Sequence, residues 1–393
     1  MPIARLSELV DKTHAPRLVL KVGSALLVGA AGVRREWLAG LVAEIASARV
    51  RGQQVIVVSS GAIALGAARL GLDKGGRGSL ADAQAAAAVG QIALSGLWAE
   101  LLGDHGLTAA QMLLTLEDLE DRRRYLNVTA TLGRLLDAGA VPVINENDSV
   151  ATQEIRFGDN DRLAARVAQA AQASAVVLLS DIDGLYDRHP REPDAALVPV
   201  VRGVTRQVHA MASVESNSGM GSGGMVSKLQ AAEIAELAGI ALVIGNGQHD
   251  RPLARIAGGQ GGQGGEGIGT LFLPRGRAGA RKAWLGGRLR LKGMLLVDAG
   301  AAAALGRGSS LLAKGISGVE GVFERGDPVG IAGPDGHVLA HGLSEYDAAE
   351  CAALCGLHTS EQAAVLGYAP RSAVVHRDQL VLKGAPVADQ TPA

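Results

Sequence analysis

Five short, largely apolar runs recur through the first two-thirds of the chain: RLVLKV (17–22), the β-branched QVIVVS (54–59), AVPVI (140–144), AVVLL (175–179) and ALVI (241–244). Each stops abruptly at Gly, Ser, Asn or Asp. Stretches of helical periodicity lie between them, at 36–51, 80–102, 162–172 and 229–238. Strands that are apolar on both faces, separated by amphipathic helices, specify an α/β fold: a mostly parallel sheet sandwiched by helices. In such sheets ligands bind where loops leave the carboxyl ends of the strands. The polar motifs of this sequence sit at those ends.

The pattern changes after about residue 281. LRLKGMLLVD, GVFERGDPVGIAG, HVLAHGLS and SAVVHRDQLVL are short strand-like pieces with turns, and one helical insert is expected near 347–355. A chain of 393 residues is too long for one ordinary core. Two domains are therefore expected, an α/β domain over 1–280 and a small β-rich domain over 281–380. The Gly-rich run at 258–269 reads as a loop before a last strand, LFLP, rather than as a linker.

Composition narrows the function classes. The formal net charge is -1, so there is no global basic field, which argues against a nucleic-acid partner. No apolar run reads as long enough to span a bilayer and the first residues lack an apolar signal core, so a membrane role is not expected. Two cysteines, Cys351 and Cys355, suit a reducing, cytoplasmic compartment. They share a helical face and could form a redox or metal pair. With no His or Cys partner pair they read as packing residues.

Several motifs carry chemistry. Lys21, Gly23 and Ser24 end the first strand; Gly lets backbone approach an anion and Lys brings charge to it, although a turn with a snorkelling Lys has the same letters. Ser60 and Gly61 close the second strand, where small residues leave room for a ligand. Ser222, Gly223, Gly224, Met225, Val226, Ser227 and Lys228 open a helix, combining accessible N–H groups, a helix N-terminus and an ammonium. The order is not that of a Walker loop, because Ser227 precedes the lysine. Asn145, Glu146, Asn147 and Asp148 follow the third run, and Gly158–Asp161 comes shortly after. These groups can receive an ammonium and a carboxylate, or cap a helix. Ser180 and Asp181 lead a loop that can hold a nucleotide or make a tight turn. Arg122–Arg124 reads as a solvated helix face or a subunit contact.

Together and in this order, these motifs resemble the glutamate 5-kinases of the amino-acid kinase superfamily. The matching segments are LVLKVGSALL, VIVVSSGAIALG, AAAAVGQ, AQMLLT, EDLEDRRRYLN, VPVINENDSVAT, FGDNDRLAA, LLSDIDGLYDRHPRE and GMGSGGMVSKLQAA. GSSLLAKGISGVEGVF, AHGLSEY and AVVHRDQLVL resemble the PUA domain of bacterial members. The resemblance implies the amino-acid kinase fold followed by a PUA-like domain. It implies that Lys21 and Lys228 stabilise the transferring phosphoryl group and that Asp161 organises the two lysines. It implies that Ser60, Asn145, Asp148 and Asn160 hold L-glutamate. Nucleotide contacts then fall to Lys21, Gly23, Ser180, Asp181 and the loop Ser222, Gly223, Gly224, Met225, Val226, Ser227, Lys228. ATP is the phosphoryl donor and Mg2+ arrives with it, with no protein side chain assigned as its ligand. Proline as a feedback inhibitor, a homo-oligomer and a glutamyl-phosphate reductase partner are also implied.

A carboxylate is already a nucleophile at neutral pH, so alignment and charge stabilisation suffice and no general base is needed. Two rival readings stay open: a kinase for another carboxylate, N-acetylglutamate or aspartate, and an RNA-binding protein with a vestigial kinase fold. Asp148 speaks against an acetylated substrate, whose nitrogen carries no charge. Only three lysines from Lys292 onward speak against an RNA footprint.

Overall fold

The computed structural model describes residues 2–29, 32–150, 159–213, 224–259, 267–275 and 291–383. By internal contacts the chain divides into two compact units, residues 1–119 with 123–277, and residues 120–122 with 278–393. The expected boundary at 280/281 lies outside the described residues.

Among the described residues, eight strands of the first unit form one sheet. They are β1 (Arg17–Val22), β2 (Gln54–Ser59), β3 (Ala109–Leu114), β4 (Val141–Glu146), β5 (Ala175–Ser180), β6 (Val200–Arg202), β7 (Ala241–Asn246) and β8 (Thr270–Leu273), in the order β3-β4-β2-β1-β5-β7-β8-β6. All neighbouring pairs are parallel except β8 against β7. The five apolar runs are all strands, and all five, β4, β2, β1, β5 and β7, are consecutive in the sheet. Two strands are not evident from sequence. β3 lacks β-branched residues, being AAQMLL, and β6 is three residues long.

The twofold alternation of side chains sorts the strands between two cores. Val19, Ile56, Val58, Ile144, Val176 and Leu178 face one core, shared with helices α4 (Arg122–Asp137), α5 (Asp159–Ala170) and α6 (Met225–Ala238). Leu18, Leu20, Val55, Val57, Val143, Val177 and Leu179 face the other, shared with α1 (Arg35–Val50) and α3 (Leu80–Gly103). Helix α1 buries Trp37, Leu38, Leu41, Val42, Ile45 and Ala48, the spacing of one helical face. Helix α6 ends at Gly239, whose φ of 69° is the left-handed geometry glycine supplies at a helix C-terminus.

Helix α2 (Ala62–Leu70) and α3 meet at backbone distance. A Cβ at Gly66 would collide with the Ala86 carbonyl oxygen, and one at Gly90 with the Ala62 carbonyl oxygen. Glycine is required at both positions because nothing larger fits between the helices. Helix α3 also corrects a sequence expectation: its 24 residues and the mean hydropathy of 1.4 over an 18-residue stretch within it make it long and apolar enough to cross a membrane by length and composition. Here it packs Ala86, Leu94, Trp98 and Leu102 into the protein.

The second unit holds a five-stranded sheet of β9 (Gly293–Val297), β10 (Ile316–Gly321), β11 (Pro328–Ala332), β12 (Val338–Leu343) and β13 (Leu380–Leu382), ordered β10-β9-β11-β12-β13. Only β9 and β11 run parallel. Its core gathers Leu295, Val297, Phe323, Ile331, Tyr346 and Leu354. The expected helical insert is α7 (Ala348–Leu354), started by a capping box in which Asp347 and Glu350 satisfy each other's backbone N–H. Cys351 is fully buried there and burial pushes its thiol up to about 11, which suits a packing residue.

Candidate active site

Strand alternation places Lys21 on the same face as Val19, toward α5 and α6. The first turn of α5 brings Asp161 to that face and the first turn of α6 brings Lys228. The three side chains meet. Lys21 Nζ lies 2.6 Å from Asp161 Oδ1 and Lys228 Nζ lies 3.2 Å from Asp161 Oδ2. Ser227 Oγ donates to the same Oδ2 at 3.1 Å. Asp161 has no exposed surface, and each lysine keeps 8%. Burial opposes ionisation of Asp161, but the Lys21 and Lys228 charges and their hydrogen bonds outweigh it and hold the carboxyl below its ordinary range. One buried carboxylate therefore fixes two ammonium groups side by side.

A neutral cluster adjoins this triad, because Asn160 precedes Asp161 on α5. Asn160 Nδ2 donates to Ser60 Oγ at 2.7 Å and to Asn145 Oδ1 at 3.3 Å. Asn145 and Glu146 belong to β4 itself, two residues beyond the expected strand end. Gly61, at φ 110°, turns the chain from β2 into α2 directly after Ser60. Asp148 is buried, and its charge is felt by Arg77: desolvation lowers the arginine's pKa and the carboxylate opposes that shift.

The expected nucleotide positions surround the same strand ends. Gly23 follows β1, and a Cβ there would reach Lys21 Nζ and the Leu179 carbonyl oxygen at 3.8 Å each. Ser180 ends β5, is buried, and donates to Asp181 Oδ1 at 3.1 Å, while Asp181 itself is exposed. Gly224 caps α6 without a side-chain hydrogen bond, and the Ser227 N–H donates to the Gly224 carbonyl oxygen at 3.0 Å. Met225 is buried and Val226 points outward, 41% exposed. Ser222 and Gly223 lie outside the described residues, as does Gly158. Arg123 and Arg124 are exposed at the start of α4, as expected of a solvated helix face, whereas Arg122 is half-buried.

Three contributors escape the motif reading. Gln91 accepts from Asn145 Nδ2 at 2.8 Å, Trp98 Nε1 donates to Ser59 Oγ at 3.0 Å, and Arg77 approaches Asp148. Gln91 stands in the AAAAVGQ segment, which carries part of the resemblance but to whose glutamine the sequence assigns no role. Among the described residues no group of three or more His, Cys, Asp or Glu could hold a metal ion. The donor set suits anions and an ammonium.

Comparison with known proteins agrees with this arrangement. The pattern of the amino acid kinase family matches residues 16–246, and that of the PUA domain matches residues 293–366. The chain is 71% identical to the glutamate 5-kinase of Novosphingobium aromaticivorans over 97% of its length and 100% of the relative's. It is 62% identical to that of Sphingopyxis alaskensis over 95% and 99%, and 53% identical to that of Zymomonas mobilis subsp. mobilis over 94% and 92%. With these identities along nearly the whole chain and the amino acid kinase pattern over residues 16–246, this protein belongs to the glutamate 5-kinases of the amino acid kinase family.

Proposed function

We propose that the chain transfers the γ-phosphoryl group of ATP to the side-chain carboxylate of L-glutamate, giving L-glutamyl 5-phosphate at the first step of proline biosynthesis. The observation that carries the reading is the bridge of Lys21 and Lys228 through buried Asp161. In this reading a glutamate carboxylate oxygen attacks the γ-phosphorus. The bond from that phosphorus to the bridging oxygen breaks, and ADP leaves. Negative charge spreads over the transferring group, and the two ammonium groups meet it without having to reorganise. Asp161 acts on the lysines and needs no proton transfer, in keeping with its lowered pKa.

Ser60, Asn145, Asp148 and Asn160 hold glutamate, with Asp148 answering its ammonium. Gly23, Ser180, Asp181 and the start of α6 hold the nucleotide, whose phosphates suit a helix N-terminus without a side-chain cap. Mg2+ would arrive with the phosphates of ATP and help neutralise their charge, with no protein side chain assigned as its ligand. Feedback inhibition by proline, homo-oligomer assembly, delivery to a glutamyl-phosphate reductase and a cytoplasmic location belong to the same reading, supported by family likeness.

The test is ATP- and magnesium-dependent hydroxamate formation with hydroxylamine, comparing glutamate, N-acetylglutamate and aspartate. Signal with glutamate alone, suppressed by proline, is expected. Signal with another acid keeps the chemistry and overturns the substrate. No signal with any acid overturns the kinase reading.

A further inference from the structure

An amide side chain has one accepting end and one donating end, so each hydrogen bond it makes fixes where the other end points. Three amides stand in series beside the lysine bridge. Gln91 Oε1 accepts from Asn145 Nδ2 at 2.8 Å. Asn145 therefore presents its oxygen to Asn160, whose Nδ2 donates to it at 3.3 Å and to Ser60 Oγ at 2.7 Å. Both donor contacts of Asn160 are thus spent inside the protein. Its Oδ1 is buried and has no hydrogen-bond partner among the described residues. A buried acceptor without a donor is costly, and a ligand that brings N–H groups removes that cost. The ammonium of an amino acid is such a ligand.

The series begins on a rigid base. Gln91 follows Gly90, where α3 touches the backbone of α2 and no Cβ fits. Two turns further along α3, Trp98 donates to Ser59 at the end of β2. The one helix thus supports β4 through Gln91 and β2 through Trp98, close to the two strand ends that supply Asn145 and Ser60.

We propose that Gln91 is a positioning residue for the amino-acid substrate. Its side-chain oxygen sets the orientation of Asn145, and through it that of Asn160, so that Asn160 Oδ1 stays available as the acceptor for the substrate's ammonium. This rests on the reading of Asn145 and Asn160 as substrate-binding residues. The role belongs to the acceptor oxygen of Gln91 rather than to its bulk.

The experiment compares Gln91→Met, which keeps the length and loses the acceptor, with Gln91→Glu, which keeps an acceptor, and Asn145→Ala, in the full chain. Gln91→Met is expected to raise the glutamate KM about tenfold while leaving kcat and the ATP KM within about twofold, the split produced when one ground-state contact is weakened. Gln91→Glu is expected to recover the glutamate KM to within about threefold of the unsubstituted enzyme, since a carboxylate still accepts from Asn145. Added to Asn145→Ala, Gln91→Met should change nothing further, because its effect passes through Asn145. If Asn145→Ala raises the glutamate KM and Gln91→Met does not, the inference is overturned and the site reading survives. If Asn145→Ala leaves that KM unchanged, the site reading itself falls. Equal damage by Met and Glu, or a parallel loss of kcat and thermal midpoint, assigns Gln91 to packing and overturns the proposal. Should Gln91→Met fail to fold, Gln91→Ala is measured in its place against the same outcomes.

Discussion

Both units of this molecule bury polar side chains, and they satisfy them differently. At the strand ends of the first unit, bonds run from side chain to side chain between segments far apart in sequence: Gln91 to Asn145, Asn145 to Asn160, Asn160 to Ser60, Lys228 to Asp161. In the second unit two buried polar side chains, Ser344 and Gln362, turn back on nearby backbone. Ser344 Oγ donates to the Tyr346 carbonyl oxygen at 2.6 Å, and Gln362 Nε2 donates to the Leu357 carbonyl oxygen at 3.4 Å. A side chain bonded to local backbone completes a turn and has nothing left to do. A side chain held by other side chains has been oriented, and at these strand ends the Asn160 Oδ1 acceptor is buried without a hydrogen-bond partner among the described residues. The difference separates a polar group that serves the fold from one kept for a ligand.

Asp161→Ala tests the contrast most severely. It leaves two buried ammonium groups without their carboxylate, and breaking such an arrangement costs about 3–5 kcal/mol, measurable by denaturant unfolding. The charge also has a pH signature. The folded Asp161 pKa lies below its unfolded value, so its stabilising contribution is complete above about pH 4 and is lost as the pH falls below that. Thermal midpoints taken downward from about pH 7 should fall less steeply in the variant than in the unsubstituted chain. Unchanged stability and unchanged acid sensitivity would return Asp161 to the status of a helix cap.

Lys228→Ala comes next. It should lower kcat by about 10²–10³ with far less effect on the glutamate KM, as for loss of one fixed donor to a transition state. Near-normal turnover removes Lys228 from the mechanism. Gly90→Ala should cost about 1–3 kcal/mol through overpacking against Ala62 and should also weaken glutamate binding, since the base of Gln91 shifts. Ser344→Ala is the mildest. It should cost about 1 kcal/mol, seen as a lower midpoint, and leave both substrate constants untouched. A kinetic effect from Ser344 would break the proposed distinction between the two regions.

Much of this was legible in the sequence because two signals coincide. Continuous apolar runs name the buried strands, and a polar residue directly after such a run must have a partner or a ligand. Lys21, Ser60, Asn145 and Ser180 were found that way. Gln91 and Trp98 were not, because α3 is so rich in alanine that periodicity does not reveal which face is buried. The Gly66–Gly90 contact depends on which helices touch, which no local pattern encodes. Strand β3 escaped because AAQMLL carries no β-branched signal at the sheet edge, where burial is partial. Arg77 lies in a Gly-rich turn with nothing periodic around it.

The lysine–aspartate–lysine bridge has a consequence for how the chain is made. A polypeptide leaves the ribosome in order, so β1 with Lys21 emerges first and Asp161 follows on α5. Lys228 arrives 67 residues after Asp161. Until then the carboxylate has only one of its two cations, and burying it gains less than it will later. The adjoining strand β7 is also still missing, so β5 has an open edge. Charge balance and edge closure thus reach completion over the same stretch of synthesis, between α6 and β7. A nascent chain halted before α6 is expected to stay loosely closed and open to chaperones or proteases, and one that has passed β8, which pairs with β7 and holds β6, can lock its first unit without waiting for the second.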